Sequence, residues 1–128
     1  MQLHVPVSVG EVLDKITILQ IKLTYISDAR KRFNVQNELD ALLPLVTGNS
    51  FTSSQMQALT AELKSVNEEL WVIEDDIREK EAKKSFDNEF VQLARAVYVT
   101  NDKRAAIKKE INLATGSALI EEKSYESY

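Results

Sequence analysis

The sequence predicts an all-α fold: three principal helices plus one short helix, with helices two and three forming a long antiparallel, coiled-coil-like hairpin. Turn-forming residues are scarce, with 3 Gly and 2 Pro in 128 residues. Apolar residues recur in alternating steps of three and four along much of the chain, which is the spacing of a packed helical seam. The length suits one domain over residues 1–128, with an extended N-terminal segment at 1–7 and an extended or flexible tail at 117–128.

The first seven residues have the period of a β-strand, because Leu3, Val5 and Val7 alternate with other residue types. Pro6 has no amide hydrogen to donate, which restricts any such strand to the edge of a sheet. His4, the one histidine, is expected to be an ordinary polar residue of this segment. The sequence leaves open whether this segment pairs with the C-terminal tail.

Helix one is predicted to begin after Ser8, which has a glutamate, Glu11, three residues further on and so forms a capping box. An apolar seam then runs to Phe33, with Arg30 as the one residue that breaks the apolar rule. The seam comprises Val9, Val12, Ile16, Leu19, Leu23, Ile26, Arg30 and Phe33.

Helix one carries a second apolar face. Ile18, Ile21 and Tyr25 have the same spacing as the seam but lie roughly on the opposite side, since two residues advance a helix by about 200°. A helix with two apolar faces is either central in its bundle or half of an interface between molecules. The polar edge of this helix is expected to be exposed to water and comprises Asp14, Lys15 and Lys22.

Two further helical segments follow. The stretch NVQNELDALLPLV is predicted to be the short helix, which ends or kinks near Pro44 because proline disfavours a helical conformation in the residue before it. Its inward residues are Val35, Leu39, Leu42 and Leu43. After a loop at TGNSFTSS, helix two is predicted from a capping box of Thr52 and Gln55. Its seam, which has no mismatch, comprises Met56, Leu59, Leu63, Val66, Leu70, Ile73 and Ile77.

Helix three is predicted to follow a turn at residues 84–87, because the apolar seam changes phase there. The alternative is one very long helix with a phase slip; we favour the turn, with Ser85 as the N-terminal cap. Gly116 is placed to cap the C-terminus of this helix. The new register is set by Phe86, Phe90, Leu93 and Val97.

Thr100 and Arg104 interrupt the apolar seam of helix three. If helices two and three fold back about residue 85, simple reflection places Asn101 level with Glu69. Arg104 is then within reach of Glu69 or Glu62, and such a charged pair on an apolar seam fixes the register of a bundle. Reflection also sets two residues of helix two level with Arg104, namely Val66 and Asn67.

The same region offers a functional interpretation. Arg104, Lys103 and Lys108, with Asp102 beside them, are candidates for a site that binds a phosphate or carboxylate, or for the active site of a small helical enzyme. Arginine suits this role because its planar fork binds bidentate anions. A third interpretation is a plain solvated face. The wider basic set adds Arg95 and Lys109.

Composition narrows the function classes. The formal charge of -4, without a concentrated basic face, argues against nucleic acid as a partner. With no cysteine and a single histidine, the sequence predicts neither thiolate chemistry nor a zinc or di-iron site, and no cofactor is expected. There is no long apolar run of the kind that enters a membrane or forms a signal peptide, so we expect a cytoplasmic protein with no membrane partner.

Three stretches together resemble a known family: VSVGEVLDKITILQIKL, LWVIEDDIREKEAKKSFDNEFVQLARAVYVTNDKRAAIKKEIN and EEKSY. Over nearly its whole length, except TGNSFTSS, the chain resembles a family of short bacterial and phage helical proteins catalogued only as a domain of unknown function. That family is also seen as a module in some tetratricopeptide-repeat proteins. The resemblance implies a small helical domain connected with bacterial surface-polysaccharide gene neighbourhoods. It brings no activity, substrate or catalytic residue.

The leading functional expectation is a non-enzymatic protein–protein interaction or scaffold domain that acts through an apolar helix face. We expect it to self-associate as a dimer or to bind another protein. The interface candidates on helix one are Ile18, Ile21 and Tyr25. Trp71 joins them, either as an interface anchor or as a residue that packs on helix one or the short helix. The alternative is a small all-helical enzyme or anion-binding protein that uses the basic cluster of helix three.

Overall fold

The computed structural model describes residues 1–128 as an all-α fold, which confirms the predicted class. No residue lies in a β-strand, so the N-terminal segment at 1–7 and the C-terminal tail, whose pairing the sequence left open, do not pair as strands. No helix combines the length and the apolar composition needed to cross a bilayer. The α-helices are α1 (Val9–Tyr25), α2 (Ala29–Leu42), α3 (Ser54–Ala82) and α4 (Asn88–Thr115). Two short 3-10 helices, Leu43–Val46 and Asn49–Phe51, connect α2 to α3.

The N-terminus of α1 is capped by the predicted residue. The Ser8 hydroxyl accepts a hydrogen bond from the backbone N–H of Glu11 at 3.2 Å. The second half of the predicted capping box does not form, because the Glu11 carboxylate instead accepts a hydrogen bond from the Lys108 ammonium at 2.7 Å. The first turn of α1 is therefore also a point of contact with α4.

Helix one is shorter than predicted and ends at Tyr25. Ile26 has an extended backbone, with φ -87° and ψ 125°. Asp28 then caps a new helix by accepting a backbone hydrogen bond at 2.9 Å. The two positions assigned to the end of the first seam, Arg30 and Phe33, therefore belong to α2, where both side chains are exposed. The break in the apolar pattern at Arg30 was the sign of this change of helix.

α1 occupies the centre of the bundle and contacts α2, α3 and α4. Of the two alternatives for a helix with two apolar faces, the central position is the one that the structure shows. One cluster of buried side chains joins α1 to α3 and α4 and comprises Leu13, Met56, Leu59, Leu63, Val66, Ile107 and Ile111. A second cluster joins α1 to α2 and comprises Ile16, Leu19 and Leu39.

α3 follows its predicted seam, but its cap lies one residue later than expected. The Ser53 hydroxyl accepts from the backbone N–H of Met56 at 3.1 Å. The Thr52 hydroxyl instead donates to the carbonyl of Asn49, within the preceding 3-10 helix, at 3.2 Å. Ile73 and Ile77 of the seam are only partly buried. The buried residues of the seam are Met56, Leu59, Leu63, Val66 and Leu70.

A turn separates α3 from α4, as the sequence favours, and Asp87 rather than Ser85 caps the second helix. The Asp87 carboxylate accepts from the backbone N–H of Phe90 at 3.0 Å. A carboxylate suits this position because the N-terminus of a helix is its positive end. Lys84, with φ of 53°, takes the left-handed conformation that reverses the chain.

α3 and α4 contact each other at both ends of their length. Close to the turn, the Lys80 ammonium lies 2.8 Å from the Asp87 carboxylate and 2.9 Å from that of Glu89. Far from the turn, the first half of α3 and the last half of α4 share the buried cluster that includes Leu63 and Ile111. α3 and α4 therefore pack against each other both near the turn and far from it.

Asp87 gives the turn a pH-dependent contribution to stability. Its pKa is lowered from 3.8 to about 2, first because Lys80 donates a hydrogen bond to it and next because the N–H of Phe90 does so. A carboxylate with a lowered folded-state pKa stabilises the fold above its unfolded pKa, and this contribution is lost as the pH falls through the folded value. We expect Asp87→Ala to destabilise the protein at neutral pH and to reduce the further loss between pH 3.8 and about 2.

Urea denaturation at low ionic strength across that pH range measures the effect, since the carboxylate is exposed and salt screens its ion pairs. Asp75→Ala is the matched control, because it removes an exposed acid on α3 that forms no ion pair. If Asp87→Ala and the wild type lost stability equally in acid, the role given to this carboxylate would be wrong.

The C-terminal tail, residues 117–128, has no regular secondary structure and lies along α4. Gly116 ends α4 with φ of 63°, which confirms the predicted cap. The Ser117 hydroxyl accepts from the backbone N–H of Val9 at 3.1 Å and ties the start of the tail to α1. At the other end, the Tyr128 hydroxyl donates to the Asp102 carboxylate. The tail thus runs back along the last half of α4.

Candidate functional site

A buried ionic cluster connects α1 with α3 and α4, and Asp14 lies at its centre. Its side chain is only 2% exposed, so the prediction of a water-exposed edge is wrong here: α3 and α4 cover it. Arg104 donates to the carboxylate from Nε at 2.9 Å and from Nη2, a bidentate pair. Asn67 Nδ2 donates to the same carboxylate at 2.8 Å. Donors from two helices therefore hold a carboxylate that water barely reaches.

Lys108 is the second buried charge of the cluster. Its side chain is 9% exposed, and its Nζ lies 2.7 Å from the Glu11 carboxylate. Two more carboxylates lie beyond hydrogen-bond distance of the same nitrogen, Glu121 at 3.7 Å and Asp14 at 3.9 Å. An ammonium group carries three N–H donors, and Lys108 uses one of them in a hydrogen bond to the protein.

The cluster holds Arg104 in its charged state. The pKa of its guanidinium is raised above the ordinary value, first because Asp14 accepts its hydrogen bonds, while partial burial opposes the rise. The negative charges of Glu11 and Glu121 raise it further. Desolvation offsets much of the attraction in a buried ion pair, so such pairs are weak contributors to net stability. The pair does link a defined position on α1 to a defined position on α4.

α1 and α4 approach each other most closely beside this cluster. The backbone N–H of Gly10 donates to Asn112 Oδ1 at 2.6 Å. A Cβ atom on Gly10 would lie 2.6 Å from the backbone carbonyl oxygen of Lys108. The neighbouring helix therefore leaves no room for a side chain at this position. Glycine is not needed for its conformational freedom here, because its backbone is helical.

A groove of about 580 Å³ opens beside the cluster, between α4 and the C-terminal tail. Arg104 and Lys108 line it, so the charged side chains of the cluster are part of its surface. Its size falls within the range of roughly 300–1,000 Å³ that is usual for small-molecule sites. Its other walls include Val97, Tyr98 and Ala105 from α4 and Glu121, Lys123 and Tyr125 from the tail.

The family model described as "Family of unknown function (DUF6165)" matches residues 3–128. The chain belongs to the DUF6165 family. This confirms the resemblance to a family of unknown function, and the matched range includes all four helices, the ionic cluster and the tail. Comparison of the chain with curated proteins gives no match, and comparison with solved structures gives none. The family description names no activity.

The DUF6165 chain brings together only part of the polar set predicted from the sequence. Arg104 and Lys108 both belong to the ionic cluster. Glu69 is exposed and forms no ion pair, so the predicted pairing with Arg104 is wrong. The reflection about the turn correctly placed Asn67 near Arg104, since both donate to Asp14. The partner of Arg104 is Asp14 on α1, whereas the reflection considers only helices two and three.

Three more of the predicted polar residues lie outside the cluster of the DUF6165 chain. Asn101 is exposed, and its Oδ1 accepts from Arg104 Nη1 at 3.4 Å. Asp102 is exposed and accepts from the hydroxyl of Tyr128. Lys103 is exposed and forms no ion pair. The basic cluster predicted on this helix therefore reduces to Arg104 and Lys108.

The apolar candidates of the DUF6165 chain separate into buried and surface residues. Ile21 is 1% exposed and lies in the interior, so it is removed from the predicted interface set. Tyr25 is 47% exposed, and its ring stacks on Trp71 with the ring centroids 5.4 Å apart. Ile18 is partly buried and lines the same shallow surface as Trp71. Trp71 Nε1 is buried without a hydrogen-bond partner.

Asp14, at the centre of the ionic cluster, is absent from the site residues that the sequence predicts. One signal was present: Asp14 lies four residues before Ile18, so it continues the second apolar face of helix one by one turn. Acidic residues are rarely buried unless they are paired, so an acid on an apolar face indicates a buried partner. Glu11 gave no such signal, because its partner, Lys108, is 97 positions away in the sequence.

Proposed function

We propose that this domain is a non-enzymatic scaffold that self-associates through the free end of a long antiparallel, coiled-coil-like hairpin of α3 and α4. The hairpin end comprises residues 71–99. One observation carries the proposal: no residue in this range is buried, although the apolar seams of both helices continue through it. The partly buried seam residues here are Ile73, Ile77, Phe90, Leu93 and Val97.

The hairpin end lacks cover because no third helix reaches it. α1 ends at Tyr25, whose ring stacks on Trp71, and α2 packs back against α1. From Trp71 to the end of α3 at Ala82 the helix extends roughly 18 Å at 1.5 Å per residue. Two helices alone cover only one side of each other's apolar seam, so the other side of each seam faces water.

A second copy of the chain is the partner that suits this surface. Two hairpin ends related by a two-fold axis make a four-helix bundle, in which every seam gains a second neighbour. Within the hairpin end, α3 carries five acidic and two basic residues, whereas α4 carries one of each. Pairing of α3 with α4 of the partner avoids the repulsion that two acidic α3 surfaces would experience.

Molar mass by light scattering on a sizing column, over a wide range of protein concentration, tests the proposal. The wild type is expected to reach twice the mass of one 14.5 kDa chain and to dissociate on dilution. Val72→Glu combined with Val91→Glu is expected to stay folded, since these side chains are 45% and 48% exposed, and to remain monomeric. Leu113→Glu is the matched control, because Leu113 is 64% exposed on α4 outside the hairpin end.

Two results would overturn the proposal. A wild type that stays monomeric at every concentration would exclude self-association. A dimer that persists in the double variant, or that is lost in Leu113→Glu instead, would exclude the hairpin end as the interface. Circular dichroism of each variant shows that its helices are retained, so that a monomer cannot be confused with an unfolded chain.

A scaffold role also agrees with what the sequence resemblance implies. Bacterial or phage origin, and occurrence as a module in tetratricopeptide-repeat proteins, are expectations from that resemblance. A self-associating module holds two copies of any domain attached to it close together. This raises the effective concentration of the attached domains without a new contact between them. The proposal therefore needs no catalytic residue in this domain.

A further inference from the structure

The groove between α4 and the C-terminal tail is lined in part by Lys108, whose ammonium group donates only one hydrogen bond to the protein. We propose that this groove binds a small organic monocarboxylate, with its carboxylate group at Lys108 and Arg104 and its apolar body against Val97, Tyr98 and Ala105. The groove shares Val97 and Tyr98 with the hairpin end, whereas its charged groups, Arg104 and Lys108, lie outside that range. The inference does not rest on self-association.

The Lys108 ammonium is the first reason. Its side chain is 9% exposed and lines the groove, so a ligand in the groove can offer it further acceptors. Only the Glu11 carboxylate is within hydrogen-bond distance, while the Glu121 oxygen at 3.7 Å and the Asp14 oxygen at 3.9 Å are too far. A buried ammonium group with two N–H donors free has a strong need for an acceptor.

Arg104 supplies the second contact. Its Nε and Nη2 are bound by Asp14, which fixes the plane of the guanidinium and leaves Nη1 on the free side. The one contact of Nη1 is to Asn101 Oδ1 at 3.4 Å, which is near the limit for a hydrogen bond. A ligand carboxylate that reaches Nη1 would receive a charge-assisted hydrogen bond from it.

The lining residues set the charge class of the ligand. The groove is lined by three basic residues, Arg104, Lys108 and Lys123, and by three acidic ones, Asp102, Glu121 and Glu126. Asp14 and Glu11 add two more carboxylates beside Arg104 and Lys108, so a phosphate ester with two negative charges would meet stronger repulsion than one carboxylate does. Of the other lining residues, Asn101 is polar and the rest are apolar or aromatic, which suits a flat, largely hydrocarbon body: Val97, Ala105, Tyr98, Tyr125 and Tyr128.

Glu121 currently stands where the ligand carboxylate would bind. It belongs to the tail, its side chain is 38% exposed, and Lys123 at 3.2 Å is closer to it than Lys108. The Glu121 carboxylate lies 3.7 Å from the Lys108 ammonium, and a ligand carboxylate that is not tethered to the chain can come closer. Neutralising Glu121 should therefore remove a competitor and a like charge, and should strengthen binding.

The test is titration of the full ¹⁵N-labelled chain with 3-phenylpropionate, followed by amide shifts in NMR spectra. Two matched probes are 3-phenylpropanol, which has the same body without the charge, and phenyl phosphate. We expect shifts at Tyr98, Ala105 and Lys108, and an affinity for 3-phenylpropionate roughly tenfold or more above that for either probe. Shifts elsewhere, equal affinity for the alcohol, or tighter binding of the phosphate would each overturn the proposal.

Three variants sharpen the result. Glu121→Gln should bind 3-phenylpropionate roughly fivefold more tightly, as expected when a like charge a few ångströms away is removed. Glu122→Gln, which alters the neighbouring acid that pairs with Lys109, should bind like the wild type. Ala105→Phe should fill the groove and abolish binding. If Glu121→Gln bound more weakly than the wild type while its spectrum showed a native fold, the ligand would not occupy the position of this carboxylate.

Discussion

Replacing Asp14 with alanine should lower the free energy of unfolding by about 3–5 kcal/mol, the usual cost of removing one partner from a buried ion pair. The side chain is 2% exposed and accepts two hydrogen bonds from Arg104. Its loss would leave a guanidinium group and the nearby Lys108 ammonium facing each other without the carboxylate between them. Urea denaturation at neutral pH, with circular dichroism as the signal, measures the change.

Lys15→Ala is the matched control for Asp14→Ala. Lys15 is the next residue on α1 and pairs with Glu38 at 3.0 Å, but both side chains are about half exposed. An exposed pair of this kind contributes about 1 kcal/mol or less. If the two variants lost similar amounts of stability, the Asp14 pair would not be the buried contact that we describe.

A double variant separates the value of the ion pair from the cost of breaking it. Arg104→Leu alone should destabilise the protein, because it leaves Asp14 buried with a weaker set of donors. Asp14→Leu combined with Arg104→Leu should recover part of the loss, since apolar residues of similar volume often replace a buried ion pair without cost. A double variant whose loss equals the sum of the losses of Asp14→Leu alone and Arg104→Leu alone would show that the residues do not interact.

Gly10→Ala should cost about 1–3 kcal/mol, the usual range for overpacking, although alanine is a better helix former than glycine. The added Cβ would lie 2.6 Å from the backbone carbonyl oxygen of Lys108 and 3.0 Å from Asn112 Oδ1. Because the nearest atom belongs to the backbone, α1 and α4 must move apart and stretch the hydrogen bond from Gly10 to Asn112. Thermal and urea denaturation both report the loss.

Gly48→Ala is the control for this substitution. No atom lies within 4 Å of a Cβ built on Gly48, and its φ of -76° is open to alanine. We expect its stability to stay within about 0.5 kcal/mol of the wild type or to rise by up to about 1 kcal/mol, because alanine restricts the unfolded chain. A loss at Gly48 as large as that at Gly10 would contradict the steric explanation.

α3 shows how much of this fold is encoded by local spacing. Its apolar residues repeat in steps of three and four without interruption, and those from Met56 to Leu70 are buried as the pattern predicts. Beyond Leu70 the same spacing continues, yet Ile73 and Ile77 are only partly buried. Periodicity identifies the side of a helix that is apolar, but the burial of that side depends on whether another helix covers it.

The boundary between α1 and α2 shows where local spacing is misleading. The seam steps of helix one continue through Ile26 to Phe33, so a single helix was predicted, yet Asp28 caps a second one. Residues 26–28 connect the two helices, and the three-and-four spacing of apolar residues continues across them. The polar residue at position 30 was the only sign of the change, and one mismatch in a seam does not identify a boundary.

The sequence by itself determined the fold class, the turn between α3 and α4, and the caps at Ser8 and Gly116, because each depends on residues a few positions apart. Only the tertiary structure decided that Asp14 is buried, that Arg104 is its partner, and that the tail encloses a groove beside Lys108. The contacts from Asp14 to Arg104 and from Glu11 to Lys108 join residues 90 and 97 positions apart. Local spacing carries no information about which helix packs over the polar edge of α1. That packing decides both that Asp14 is buried and that Arg104 is its partner.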